Sequence, residues 1–427
     1  MLSTLKTNAY KAILKEELVL AMGCTEPIAI AYASAILCDA LGEKPIEISA
    51  GLSGNIIKNV KSVIVPGTGG RHGIHSAIAA GAVSGRADLK LEVLSVLGDD
   101  AGEKIEKFLE GTKITVDEIT STCTFELSLE GRSEHHTASV RLSGTHTNVT
   151  LVTQDGTDVS KKYSTGEGYA EERYYTDRDL LNVEDIVAFA SEADLTDIIP
   201  LLRRQVELNM AIAEEGLRGK WGANIGRILL GDTSDTARRA RAYAAAGSDA
   251  RMSGCELPVS IISGSGNQGI TASVPVAIYA KDMGKSDEEL YRALIVSNLV
   301  TIHQKTGIGT LSAYCGAISA GVGAGAGICY LLGGDFYMVA HTLVNAVAIL
   351  SGTICDGAKP SCAAKIAMAV EAGIMGYEMA KAGSQFYGGD GIVTKGVENT
   401  IRNVGRLAKD GMSETDKEII RIMLEKN

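Results

Sequence analysis

The sequence predicts an α+β protein: a mainly all-α C-terminal domain of closely packed Gly/Ala-rich helices, preceded by an N-terminal α/β subdomain. Three observations carry this reading. Helical periodicity dominates the second half of the chain, whereas short β-like runs between polar turns are confined to residues 45–153. Glycine is abundant, at 49 residues, while there are only five Phe and one Trp, so helix backbones can approach one another closely. From Thr306 to Gly334 no residue is charged, and small residues recur four apart: Ala317, Gly321, Gly325, and Gly316, Ala320, Ala324. That spacing lines one helix side with small residues. The stretch is long enough to span a bilayer, but it is built from Gly, Ala and Ser, and Lys305 and Asp335 flank it without a positive-inside bias. It reads as a buried helix, with no membrane partner.

In chain order, residues 7–22 form an amphipathic helix and residues 26–41 a second, with Pro27 in its first turn and Gly42 just past its end. Ile46–Ala50, Ser62–Val65, Phe125–Leu129, Thr137–Leu142 and Asn148–Thr153 are β-like, suggesting an antiparallel meander. His72–Ser84 and Asp100–Leu109 read as helices, and Gln154–Arg178 as a polar linker. Further helices are expected at about 183–216, 234–248, 286–304, 336–351, 362–382 and 393–408. A last helix is expected from a Ser413/Asp416 capping box to about Glu425. Three units follow: 1–42, N-terminal helices packing on the C-terminal domain; 43–175, the α/β subdomain; and 176–427, an all-α cluster-binding domain.

The net charge of −11 disfavours nucleic acid and anionic membranes but leaves room for a small anionic substrate, since local charge can oppose the global sign. Eight cysteines in a long chain without a secretory leader point to reduced thiols in the cytoplasm. A homodimer is the default expectation.

Chemistry concentrates at cysteines set among small residues: Cys315, Cys355 and Cys362. Pro360 starts a helix whose first turn holds Cys362, where the helix dipole favours a thiolate. Thiolates gathered in a dry place suit a metal or an iron–sulfur cluster, and three ligands leave one iron open to act as a Lewis acid. Ordinary buried cysteines are the competing reading. Cys24, in Met-Gly-Cys-Thr-Glu-Pro, precedes the second helix, and the same dipole would lower its pKa and make it a base, a nucleophile or a fourth ligand. Cys329 suits a ligand less well, and Cys38, Cys123 and Cys255 read as structural.

Gly264, Gly266 and Gly269 match G-x-G-x-x-G, yet Pro275 is expected to interrupt the next segment and no strand–helix–strand unit surrounds it, so a dinucleotide site is rejected. The loop instead suits an amino-acid carboxylate, through its N–H groups and Ser265, Asn267 and Gln268. It also resembles the Ser-Gly-Asn phosphate loop of pyridoxal-phosphate lyases, without a tetraglycine clamp or a Schiff-base lysine motif. Gly51–Asn55 and Pro66–His72 are further loops with anion-binding potential, which makes Ser53 and Asn55 substrate-binding candidates; His303 could orient substrate. His135 and His136 read as exposed, with no metal.

Met22–Pro27, Gly264–Gly269, Cys315-Gly-Ala and Cys355-Asp-Gly-Ala-Lys-Pro-Ser-Cys362 together resemble the L-cysteine desulfidase family, related to the α region of iron–sulfur L-serine dehydratases. The resemblance covers essentially the whole chain. It implies an oxygen-labile 4Fe–4S cluster on Cys315, Cys355 and Cys362, Cys24 as the base, and no pyridoxal phosphate. It further implies a carbon–sulfur lyase that converts a small amino acid, L-cysteine, to pyruvate, ammonia and hydrogen sulfide. The short 355–362 spacing looks like the desulfidase branch; L-serine dehydration is the alternative. A pyridoxal-phosphate lyase using Ser263–Gly269, and a non-enzymatic amino-acid-binding protein, are the remaining alternatives.

Overall fold

The computed structural model describes residues 2–424 except 120, 122, 124, 164–175, 310 and 311. The chain opens with α1 (Thr4–Glu17), β1 (Leu20–Met22), α2 (Thr25–Leu41), β2 (Glu47–Leu52), α3 (Gly54–Val60), α4 (Ile74–Ser84) and α5 (Ala101–Gly111). Strands β3 (Lys113–Glu118), β4 (Glu126–Arg132), β5 (Thr137–Ser143), β6 (Val149–Gln154) and β7 (Thr157–Asp158) follow. The second half holds α6 (Val183–Glu192), α7 (Ile199–Arg218), α8 (Ile225–Leu230), α9 (Thr236–Met252), β8 (Pro258–Ser260) and α10 (Gly266–Asp282). It continues with α11 (Asp287–Ile308), α12 (Gly316–Leu331), α13 (Phe336–Leu350), α14 (Cys362–Lys381), α15 (Val397–Arg406) and α16 (Ser413–Leu424).

The α+β reading holds. The larger sheet has the order β3-β2-β4-β5-β6-β7; β2 and β3 are parallel and the other pairs antiparallel. Period-two alternation turns Ile48, Ala50 and Leu52 of β2, Leu127 and Leu129 of β4, and Val140 and Leu142 of β5 into one core beneath α2 and α4. A second core joins α6, α7 and α9 to α14 with α1, which lends it Tyr10, Ile13 and Leu14.

Helices α11, α12 and α14 pack at backbone distance. A Cβ added to Gly325 of α12 would stand 2.4 Å from the Gly373 carbonyl oxygen of α14, and one added to Gly321 would stand 2.4 Å from Ala369 backbone. Gly321 and Gly325, four apart, therefore lie in the α12–α14 contact, while Gly316 lies against Gln268 of α10. No described helix is long and apolar enough to cross a membrane.

Several elements differ from the sequence reading. Helix α1 stops at Glu17 because residues 20–22 pair with β8, a tertiary preference that overrides helical period. Helix α2 packs its core face on the sheet. Ser62–Val65 makes only an isolated bridge, Ile64 to His72, while β3 and α3 form where no element was expected. The single helix at 183–216 is two, because Pro200 lies in the first turn of α7 and cannot continue α6. Pro275 does not interrupt α10, whose burial in the bundle outweighs one missing N–H. Ser413 is the first residue of α16, and its hydroxyl donates to the Asp410 carbonyl rather than capping.

Candidate active site

The two halves meet through a short β-ladder between residues far apart in sequence. Antiparallel β1–β8 sets Ala21 opposite Val259, so the residues that follow the two strands leave at opposite ends of a ladder only three residues long, and turns bring them back together. After β8, Ser263 (φ 46) and Gly264 (φ 75) form a two-residue turn closed by Ile262 and Ser265, which bond each other's N–H and carbonyl groups. After β1, Gly23 turns the chain and Cys24 becomes the N-cap of α2. Thr25 Oγ1 then reaches the Gly264 carbonyl at 3.0 Å.

A second pairing lies across the site. The Tyr314–Ile354 bridge is flanked by Cys315 N–H donating to Thr353 O at 3.1 Å and Cys355 N–H donating to Ala313 O at 2.6 Å. The Cys355–Cys362 loop is pinned by Asp356, which pairs with Lys359 and Lys365. Burial raises the Asp356 carboxyl, but the two lysines outweigh it and bring it to about 2. Gly357 (φ 92) lets this loop lie on α3; a Cβ there would sit 2.2 Å from the Lys58 carbonyl oxygen.

These contacts enclose a cavity of about 110 Å³. Cys24, Ser265, Asn267, Gln268, Cys315, Cys355 and Cys362 all line it. Four helices begin at its wall: Cys24, Ser265 and Cys315 are the N-caps of α2, α10 and α12, and Cys362 is the first residue of α14. None of the three N-cap side chains accepts a capping bond from a backbone N–H of its own helix, so the first-turn N–H groups and dipoles of these helices are left for the cavity. Lys58, Arg251, Lys305 and Lys365 also line it, Lys58 paired with Asp416 and Lys365 with Asp356. Glu26 is the acidic group in the lining.

Four buried polar atoms of the lining lack a partner among the described residues: His146 Nε2, Arg251 Nε, Gln268 Oε1 and Tyr314 Oη. Such atoms cost on the order of 1–3 kcal/mol each when left unmade. Clustered around one cavity, they call for polar partners that the protein itself does not supply. A second cavity, of about 740 Å³, opens beside the first and shares His146, Ser263, Gly264 and Lys305 with it.

Electrostatics correct the sequence reading of the thiols. The helix dipole should lower Cys24, yet burial and the Glu26 charge push this thiol well up. Cys24 Sγ donates to Glu26 Oε2 at 3.2 Å, so it is held as a neutral thiol. Burial also raises Cys362 and takes Cys315 to about 12, and each feels the charge of Cys355. Burial raises the Glu26 carboxyl too, but the field of His146 and the bonds from Cys24, its own amide and Asn59 (Nδ2 to Oε1, 2.8 Å) hold it below its usual value. Burial lowers His146 against the pull of Glu26, leaving a neutral ring near pH 7. At that pH the hydrogen-bond donors alone hold the Glu26 anion. Lys305 is lowered by burial to about 8 despite Cys355, Cys315 and Glu17.

Three expected residues lie off the cavity. Ser53 caps α3 and its Oγ accepts the Glu126 N–H at 3.2 Å. Asn55 follows it on α3, and the same helix instead sends Lys58 and Asn59 to the lining. His303 turns to Glu398, 2.7 Å from its Nε2; Lys305, two residues on and so on another helix face, is the one that lines the cavity. His135 pairs with Glu43 and His136 with Asp155, both at the surface. Among the remaining cysteines Cys329 and Cys255 are buried and Cys123 is exposed.

No three His, Cys, Asp or Glu side chains among the described residues surround a single metal ion. Three thiols share one wall, however, and a cluster that gives each thiolate its own iron needs sulfurs set further apart than one ion does. With cationic lysines and helix N-termini around them, the donors suit such a cluster chemically and do not suit a lone zinc.

The chain belongs to the serine dehydratase alpha chain family, whose model matches residues 88–421. Curated relatives include a UPF0597 protein of Desulfitobacterium hafniense, 53% identical and covering 98% of this chain and 96% of that protein. A UPF0597 protein of Finegoldia magna is 46% identical, covering 98% of this chain and 99% of the relative.

Proposed function

From membership of the serine dehydratase alpha chain family and the chemistry of this cavity, we propose an α,β-eliminating lyase that acts on a small β-substituted L-amino acid. L-cysteine is the substrate, and pyruvate, ammonia and hydrogen sulfide are the products. The observation that carries this is the meeting of Cys315, Cys355 and Cys362 with the Ser265–Gln268 helix start on one small cavity rich in unpartnered polar atoms. A 4Fe–4S cluster held by those three cysteines would supply an open Lewis-acidic iron for the β-substituent.

The chain's own groups do the rest. Arg251 Nε and the first N–H groups of α10 receive the substrate carboxylate, and Gln268 Oε1 accepts from its ammonium. Cys24, kept protonated beside Glu26, is suited to give a proton to the departing group rather than to take one. Lys305 and Lys365 balance the charge gathered on the thiol wall. The cavity's small volume limits substrate size and keeps bulk water from the aminoacrylate until release. Free aminoacrylate tautomerises and hydrolyses to pyruvate and ammonia.

A serine substrate is favoured by the family description, while the 355–362 spacing favours cysteine. Anaerobically reconstituted protein, assayed for pyruvate with each amino acid, separates them: kcat/KM should be higher for L-cysteine, with sulfide released one-for-one. Iron-loaded protein that makes pyruvate from neither amino acid would overturn the reading. Borohydride treatment followed by peptide mapping should leave Lys58, Lys305 and Lys365 unmodified; a reduced pyridoxyl lysine would replace it with the pyridoxal-phosphate alternative.

A further inference from the structure

The elimination needs a group to take the α-proton, and Cys24 is poorly placed to do so. We infer that His146 is that group, a catalytic base facing the substrate from the α/β half. The inference rests on the lyase reading above.

His146 lies in the turn between β5 and β6, remote in sequence from the cysteine motifs. It is 8% exposed, and its Nε2 is buried with no partner among the described residues. A ring nitrogen in a cavity lining with no protein partner has a free lone pair or N–H to explain, and a bound substrate would supply the partner. The ring packs edge-on against Phe125, centroids 4.7 Å apart, which fixes its plane. It lines both the small cavity and the larger one beside it, so it stands at the threshold a substrate crosses. The Ser265–Gln268 start of α10 and Arg251, which would anchor the carboxylate, line the same small cavity. A substrate spanning from that anchor to the thiol wall presents its α-carbon between the two, open to a base from the third side.

The step balances without a redox partner. The Cα–H bond breaks and its proton goes to Nε2; the electron pair forms Cα=Cβ; the Cβ–S bond breaks and sulfide leaves with the pair. The proton on the imidazolium is then lost to solvent or to the departing sulfide. Glu26 is the anion facing the ring and favours its protonated form. Lys58, Arg251, Lys305 and Lys365, the other charged groups in the lining, oppose it. The base must be neutral to work, so activity should fail as pH drops through a value below the ordinary 6.5.

His146→Gln tests this. The variant should bind iron like the wild type and keep KM within a few-fold, while kcat falls by about 10²–10⁴-fold. The acid limb of its kcat/KM profile should vanish, and α-deuterated substrate should show a larger isotope effect. A fully active H146Q with an unchanged acid limb would overturn the inference and leave the lyase reading standing; a wild type that eliminates nothing would remove both. Should H146Q not fold, the wild-type profile decides: an acid limb below pH 6.5 supports His146, and one in the alkaline range of Cys24 overturns it.

Discussion

The cavity has two walls of different origin. One is helical and carries Cys315, Cys355, Cys362 and the glycine loop; the other belongs to the α/β half and carries Cys24, Glu26, Lys58, Asn59 and His146. The helical wall carries the three thiols, helix N-termini and the cations Arg251, Lys305 and Lys365, and it offers donor atoms that inorganic chemistry can use. The α/β wall is built of titratable side chains bonded to one another, and it offers proton chemistry. An elimination needs both, one to draw off the leaving group and one to handle the α-proton.

Removing a ligand should separate the walls most sharply. Cys355→Ser should abolish both iron retention and turnover, by at least about 10³-fold, while unfolding midpoints of the iron-free protein stay near wild type. Iron analysis after anaerobic reconstitution, beside a pyruvate assay, measures this. An active, iron-free C355S would detach function from the helical wall altogether.

Next in size is the framework of that wall. Gly325→Ala should gain about 0.8–1 kcal/mol of helix propensity. Its new Cβ would lie 2.4 Å from Gly373 O, and overpacking costs about 1–3 kcal/mol. The clash wins, so the net effect is a loss, visible as a lower urea midpoint. Activity should fall with it, because α12 and α14 carry Cys315 and Cys362. A more stable G325A would mean that α12 and α14 are not held at backbone distance.

Legibility follows the same division. The helical wall could be read ahead because its residues work by local pattern: a cysteine among small residues, a glycine turn opening a helix, small residues four apart. The α/β wall works by long-range placement. His146 has no motif; it reaches the cavity because β5 and β6 pair and Phe125 backs its ring. Glu26 was visible beside Cys24, but not that its charge raises the thiol the dipole would lower, since that depends on Asn59 and burial. The loop at Ser53 and Asn55 lies next to the cavity without lining it, because the unforeseen α3 carries its lining positions one turn further, to Lys58 and Asn59.

One buried carboxylate tests the α/β wall. Glu26→Gln removes the charge and turns one of two acceptor oxygens into a donor, so either Asn59 Nδ2 at Oε1, or Cys24 Sγ and Thr25 Oγ1 at Oε2, lose their acceptor. A cost of about 1–3 kcal/mol is expected at pH 7. Glu26 is held below its usual 4.5 in the folded protein, so its contribution is present above pH 4.5 and lost as pH falls below it. The difference between wild type and E26Q in urea unfolding should therefore shrink from pH 7 to pH 4. A gap that is constant across that range would show that packing, not charge, is what Glu26 contributes.

The matching substitution on the helical wall should do less. Asp356 pairs with Lys359 and Lys365 and holds the Cys355–Cys362 loop, but about a third of its side chain is exposed, at 35%. Water screens such a pair, so Asp356→Asn should cost no more than about 1 kcal/mol. The sign follows from its folded value of about 2: the stabilisation is whole above 3.8 and fades as pH falls toward 2. At neutral pH the loss should be small in unfolding and larger in iron retention, since the loop presents two of the three thiols. If D356N instead destabilised the protein as much as E26Q, the two walls would not differ in how deeply their charges are buried, and the division of labour between them would fail at its physical root.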